Sequence, residues 1–151
     1  MQDVKVTTLT GFIAKHMLAF QSHQVESRPD GLMNEREMRH WRVRITNPAK
    51  AGKIVNGQMV HGSPSFSLYF SQGLGITEDP TLADVLDCIA NDASGYDNTR
   101  GFEDWASDYG YDADSRSAEK IYRAIKRQAE QLKRTIGDAA YAELLYDVER
   151  L

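Results

Sequence analysis

The feature that most restricts how this chain can fold is a change of hydrophobic period between Ser71 and Pro80. Before it, apolar residues alternate. Trp41, Val43 and Ile45 point one way while His40, Arg42, Arg44 and Thr46 point the other, and Phe66, Leu68 and Phe70 alternate with Ser65, Ser67, Tyr69 and Ser71. Each run reads as a half-buried strand, the first with a basic outer face. After the change the spacing is helical: Leu82, Val85, Leu86, Ile89 and Ala93 form one stripe, and Ala118, Ile121, Tyr122, Ile125, Ala129, Leu132 and Ile136 form another. Strands followed by helices specify an α+β fold.

The remaining segments fill in this plan. Leu9, Phe12, Ile13 and Met17 predict an N-terminal helix capped by Thr8 or Thr10. Residues 18–27 read as extended with either face inward, and Arg28 to Asn34, with Pro29, Asp30 and Gly31, as a turn and loop. Asn47 and Pro48 end the first clear strand. Ile54 to Val60 surround Asn56-Gly57, the signature of a type I′ hairpin, and predict a projecting β-ribbon. Thr81 and Asp84 have the spacing of a capping box. Ser94 to Asn98 reads as a turn. Thr99 is placed to cap a short helix that turns Phe102, Trp105, Ala106 and Tyr109 inward; Gly110 then stops it and Tyr111 folds back. Asp112, Asp114 or Ser115 caps the longest helix, which runs to about Thr135, and Gly137 and Asp138 lead into a last helix with the stripe Tyr141, Leu144, Leu145, Val148 and Leu151. So short a connection predicts an antiparallel helical hairpin.

The expected architecture is a single domain over residues 1–151. Residues 1–76 form an N-terminal helix and a three-stranded antiparallel sheet with an extra β-ribbon, and residues 77–151 form four helices packed on its apolar face. The order helix, three strands, helix has, by analogy, the topology of a double-stranded-RNA-binding domain. The basic motif of that family is missing, however: the second helix opens with Glu78, Asp79 and Asp84, which repel phosphate.

Charge is unevenly distributed. Thr77 to Asp114 holds eleven carboxylates and one base, Arg100, for a net −10 in a chain of net −4. Residues 1–76 hold nine Lys/Arg against five Asp/Glu, and residues 115–151 hold eight against six. Such unevenness means either faces that pair internally or two outward faces with different partners. The single cysteine, Cys88, rules out an internal disulfide framework, and no apolar run approaches ~18 residues. A cytoplasmic protein with no membrane partner is expected.

No catalytic signature is present, and no cofactor or metal is expected. An EF-hand loop opening at Asp112 would need an oxygen ligand where Arg116 stands, glycine where Ser117 stands and glutamate where Arg123 stands. Asp104 and Asp108, one turn apart, leave a two-carboxylate magnesium site to weigh against helix capping and a solvated face. Cys88 lies beside Asp92, a neighbour that raises a thiol's pKa, and reads as a packing cysteine. His16, His23, His40 and His61 lack ligand spacing, although His23 and His40 stand where adjacent strands would bring them together. Gly73 and Gly75 precede no Lys-Ser/Thr pair, so there is no phosphate loop.

Two macromolecular readings remain. A direct nucleic-acid footprint would use His40, Arg42, Arg44, Lys50 and Lys53, joined by Arg116, Lys120, Arg123 and Arg127 of the long helix. Its ordinary alternative is internal pairing with the acidic segment or a solvated face. In the inverse reading carboxylates imitate a phosphate backbone for a basic partner. Asp84 and Asp112 or Asp114 have capping duties, which leaves Glu78, Asp79, Asp87, Asp92, Asp97, Glu103, Asp104 and Asp108 as that surface.

Pro80 to Asp92, Phe102-Glu-Asp-Trp105, Tyr109 to Ser115 and the preceding Leu68 to Gly73 resemble a group of small uncharacterised accessory proteins of tailed phages and prophages, over roughly residues 35–135. The Lys50 to Pro64 ribbon departs from the shorter members as an insertion. The resemblance implies a protein that binds and blocks host machinery, as anti-restriction and anti-CRISPR proteins do. The expected function is a non-catalytic inhibitor of a host nucleic-acid-handling defence complex, acting through the acidic helical surface. The alternative is a nucleic-acid-binding module of phage DNA metabolism that uses the basic strand and ribbon. The partner is expected to be a host or phage protein complex, with direct nucleic acid as the other option, and oligomeric state is open.

Overall fold

Thr8 caps the first helix of the chain: its Oγ1 accepts from the Gly11 amide at 3.0 Å, which satisfies one of the free N–H groups of a helix start. A computed structural model describes residues 7–28, 38–55, 57–59, 62–97, 101–108, 110, 112 and 116–149. Pro29 to Asn34, Asn56 of the hairpin, Val60, the Thr99 cap, Tyr109, Tyr111, the Asp114 and Ser115 caps and Leu151 lie outside the described residues.

In chain order the elements are β1 (Thr7–Thr8), α1 (Leu9–His16), β2 (Ala19–Val25), β3 (Met38–Thr46), a 3-10 turn (Pro48–Lys50), β4 (Ile54–Val55), β5 (Gln58–Met59), β6 (Ser65–Gly73), α2 (Leu82–Asp97), α3 (Phe102–Asp108), α4 (Arg116–Ile136), α5 (Asp138–Tyr146) and β7 (Val148–Glu149). The fold is α+β, as the change of period requires. β2, β3 and β6 form an antiparallel sheet with β3 in the centre, in the register Phe20↔Ile45, Ser22↔Val43, Val43↔Leu68 and Trp41↔Phe70. That register settles which parity of β2 faces inward: Phe20, Ser22 and Gln24 share the face of Ile45, Val43 and Trp41.

One face of the sheet is dry. Trp41, Val43, Ile45, Phe66 and Leu68 pack with Phe12 of α1, with Val85, Leu86 and Ile89 of α2, and with Leu132, Ile136 and Leu144 of α4 and α5. Each such large side chain contributes roughly 1.5–3 kcal/mol by leaving water. Trp105 and Ala106 of α3 form a second cluster with Ala118 and Ile125 of α4, edged by Phe102 and Tyr122. α1 is held to α5 by Glu143, whose carboxylate accepts from Lys15 Nζ at 2.6 Å and meets His16 Nε2 at 2.8 Å. Burial pushes that carboxyl up, but the bonds and charges of Lys15 and His16 outweigh it and leave the pKa lowered.

The capping box forms as expected. Asp84 N donates to Thr81 Oγ1 at 3.2 Å and Thr81 N to Asp84 Oδ2 at 2.9 Å. The ribbon is present as β4 and β5, with Gly57 at φ 81°. Two boundaries differ from expectation. α2 runs through the anticipated Ser94 to Asn98 turn as far as Asp97, because one glycine, Gly95, costs only about 1 kcal/mol and does not by itself end a helix. α5 stops at Tyr146, earlier than its apolar stripe suggests, and Val148 instead pairs with Thr7 in a parallel two-residue ladder. α4 and α5 are joined by Gly137 alone, whose φ of 93° makes the sharp turn. Among the described residues no helix is long and apolar enough to cross a membrane.

Candidate nucleic-acid interface

With the helices on one side, the opposite face of the sheet is left to water. Beyond the Met38–Gly73 pair at its end, strand pairing assembles it from Ala19, Gln21, His23 and Val25 of β2, His40, Arg42, Arg44 and Thr46 of β3, and Ser65, Ser67, Tyr69 and Ser71 of β6. None of these twelve residues is acidic. Gln21, His23, Arg42 and Arg44 are exposed. Both arginines are held by neutral hydroxyls: Arg42 Nη1 donates to Tyr69 Oη at 3.1 Å and Arg44 Nη2 to Ser65 Oγ at 2.8 Å. Among the described residues neither guanidinium is paired with a carboxylate. Their charge therefore stays available to a ligand while their geometry is fixed.

α4 continues this surface past the free edge of β6. Ala124, Arg127, Gln128 and Gln131, spaced i, i+3, i+4 and i+7 along one flank, meet Ser67, Leu68, Tyr69 and Arg42 around a cavity of about 210 Å³. From Arg116 to Arg134 the helix carries seven Lys/Arg and two Glu. Arg116, Lys120, Arg123 and Arg127 are all exposed, and Arg123 pairs with Glu119 one turn back. Arg42 and Arg127 are thus brought together, with Arg44 two residues along β3 from Arg42, and with Lys120, Arg123 and Arg116 farther along α4.

Other candidates separate from this group. His40, expected to point outward with Arg42, is only 5% exposed and its Nδ1 meets Ser71 Oγ at 2.7 Å. Arg28, also 5% exposed, folds over the same end of the sheet and donates from Nη1 to Ser71 Oγ at 3.0 Å. His40 is therefore a structural residue. Lys50 lies with His16 and the start of α5 around a different cavity, and Lys53 is exposed on the turn before the ribbon.

The acidic segment is partly committed to internal work. Asp84 is in the capping box, and Arg39 Nη2 lies 3.9 Å from Asp79 Oδ1 while its Nη1 donates to the Ile76 carbonyl at 2.9 Å. Asp92 is half-buried beside Cys88, whose Sγ lies 3.8 Å from Asp92 Oδ2. Burial raises the Asp92 carboxyl to about 6, against the opposing pull of Cys88 and Arg28. Cys88 keeps exposed surface, so water still reaches it, but burial first and the Asp92 charge second hold its thiol above the ordinary value, the wrong direction for a nucleophile. Asp87 and Asp104 are half-buried and Glu78 and Glu103 are exposed. Asp97 lies in the last turn of α2 and Asp108 in that of α3, their side chains outside the description. Among the described residues no three His, Cys, Asp or Glu side chains are grouped to hold a metal ion.

Reading by residue type missed Tyr69 and Ser65, which position the arginines, Ser67, which lines the cavity beside them, and the amides Gln128 and Gln131. Only the cross-strand partnership of β3 with β6 was available in the sequence to find the first three. No family model, characterised relative or solved structure matches the chain.

Proposed function

We propose that this protein binds single-stranded nucleic acid through the open face of the β2-β3-β6 sheet and the adjoining flank of α4. The observation that carries this reading is a twelve-residue sheet face with two exposed, unneutralised guanidiniums and no carboxylate, joined through Arg127 to a strongly basic helix. A phosphate backbone gains affinity on such a surface by releasing its counterions. Arg42 and Arg44 stand two residues apart on one strand, ~7 Å, so a single backbone can follow them. Tyr69 offers a ring on which any base can stack. A duplex keeps its bases stacked on one another and offers none to Tyr69, so a single strand fits this face better. The test is titration of single strands and duplexes of equal length from about 50 to 200 mM salt. Single strands should bind more tightly, and Arg42→Gln and Arg44→Gln should each lower the salt slope by roughly 0.7. No salt-dependent affinity at about 50 mM salt, or a slope unmoved in the double variant, overturns the reading.

A second reading keeps the acidic segment as the functional surface, with the protein as a phage or prophage inhibitor of a nucleic-acid-handling defence complex. The observation in its favour is that Glu78, Asp79 and Glu103 are exposed, the Asp79 side chain by 74%. Affinity capture from a bacterial lysate, with and without nuclease, separates the readings. Capture of a protein complex that survives nuclease and is lost in the Glu78→Lys, Asp79→Lys, Glu103→Lys variant supports the inhibitor; capture abolished by nuclease supports the sheet face.

A further inference from the structure

The cavity between α4 and the edge of β6 is more than a continuation of the basic surface, because of what Gln128 does there. Gln128 lies on the buried arc of α4 and is 7% exposed, yet among the described residues no hydrogen bond holds its amide. Among the described residues the one buried side-chain atom fully shut off from solvent without a partner is Asn47 Oδ1, so the Gln128 amide keeps a narrow opening, and the cavity it lines supplies it. A polar group left this way costs stability unless something bonds it, and leucine would serve the helix better at this position. The next residue along the flank, Gln131, brings a second amide to the same space.

We infer that this cavity seats one unpaired adenine of a bound strand, with the Gln128 amide on the base edge and Arg42 and Arg127 on the flanking phosphates. This rests on the single-strand reading above and adds a base preference to it. At about 210 Å³ the cavity is below the ~300–1,000 Å³ of sites that hold whole cofactors, so its occupant is one ring system. Leu68 and Ala124 give that ring apolar walls. An amide presents a donor and an acceptor side by side, which matches the N6 donor and N7 acceptor of adenine. A phosphate offers acceptors alone and would leave the amide oxygen facing like charge. The arginines, both exposed, sit where the backbone leaves the cavity on the sheet side and on the helix side.

The test compares an oligo-dT strand with the same strand carrying one central dA, at a single salt concentration, for the parent, Gln128→Leu and Arg127→Gln. The parent should favour the dA strand by roughly 5- to 100-fold, the discrimination of one bidentate amide–base pair. Gln128→Leu should bring the preference to about twofold or less with the salt slope unchanged, whereas Arg127→Gln should lower the slope by roughly 0.7 and keep the preference. If Gln128→Leu does not fold by circular dichroism, Gln131→Leu, at a half-buried position, takes its place with a partial loss expected. Salt-dependent binding without a dA preference, or a preference that survives both leucine variants, overturns the adenine site and leaves the single-strand reading standing. Absence of binding to either strand overturns both.

Discussion

Arg42 and Tyr69 lock one another on the open sheet face: the guanidinium donates to the phenol oxygen at 3.1 Å while its carbon lies 5.5 Å from the ring centroid. The pair faces across β3 and β6 in register, so backbone pairing sets its geometry before any ligand arrives. Tyr69→Ala should weaken single-strand binding by about 1–3 kcal/mol, the usual worth of one stacked base, whereas Tyr69→Phe, which keeps the ring and frees Arg42, should stay within about 1 kcal/mol of the parent. Fluorescence anisotropy on one labelled strand measures both.

The Thr81–Asp84 box is an independent check on the fold. Thr81→Ala removes the acceptor for the Asp84 amide and should cost about 1 kcal/mol by urea denaturation, with the dependence on urea unchanged. Asp84→Asn should cost less, because its side-chain oxygen still accepts from the Thr81 amide. Neither change should alter strand binding.

Asp92 makes stability depend on pH in a definite direction. Its carboxyl is raised to about 6 in the fold, from an ordinary 3.8, so between these values the folded state holds a proton that the unfolded state has released. Its contribution is favourable below about pH 4 and is lost as pH rises through about 6. Asp92→Asn should therefore stabilise the protein at pH 7 by on the order of 1–2 kcal/mol, a figure reduced for the water that reaches this half-buried group, and the gain should vanish near pH 4. Thermal melts of the two proteins at pH 4, 5, 6 and 7 check it.

Asn47 joins the end of β3 to the last turn of α4. Its amide nitrogen donates to the Thr135 carbonyl at 3.1 Å and its own backbone N–H to the Pro64 carbonyl at 2.9 Å, with the side chain 1% exposed. Asn47→Ala should destabilise by about 1–3 kcal/mol, and Asn47→Asp by more, since a carboxylate would face the Thr135 carbonyl in a dry site. Denaturant titration at pH 7 orders the three proteins.

The elements were legible in the sequence wherever one side-chain period persisted. Trp41, Val43 and Ile45 locate β3, and Ala118 through Ile136 locate α4, because a face in contact with the core must repeat with the backbone. What escaped depends on neighbours distant along the chain. His40 has the parity of an outward residue and is buried because Arg28 crosses over it at the end of the sheet. Gln128 is hidden for the converse reason: a stripe traced through apolar residues passes over a buried amide. The acidic segment had its capping box in plain view, but the half-burial of Asp92 and the reach of Arg39 toward Asp79 are products of packing. Pairing of Thr7 with Val148 left no trace, since two-residue strands carry no period.

That pairing has a consequence for how the molecule is made. Thr7 and Val148 are 141 positions apart, and the ladder they form places β7 against α1 and α5. Loop closure over such a span comes late, after the hairpins and local helices have formed. During synthesis the first helix must wait for residue 148 to leave the ribosome before its last neighbour exists. The ladder works as a clasp, and its amide hydrogens should be the last in the fold to gain protection from exchange.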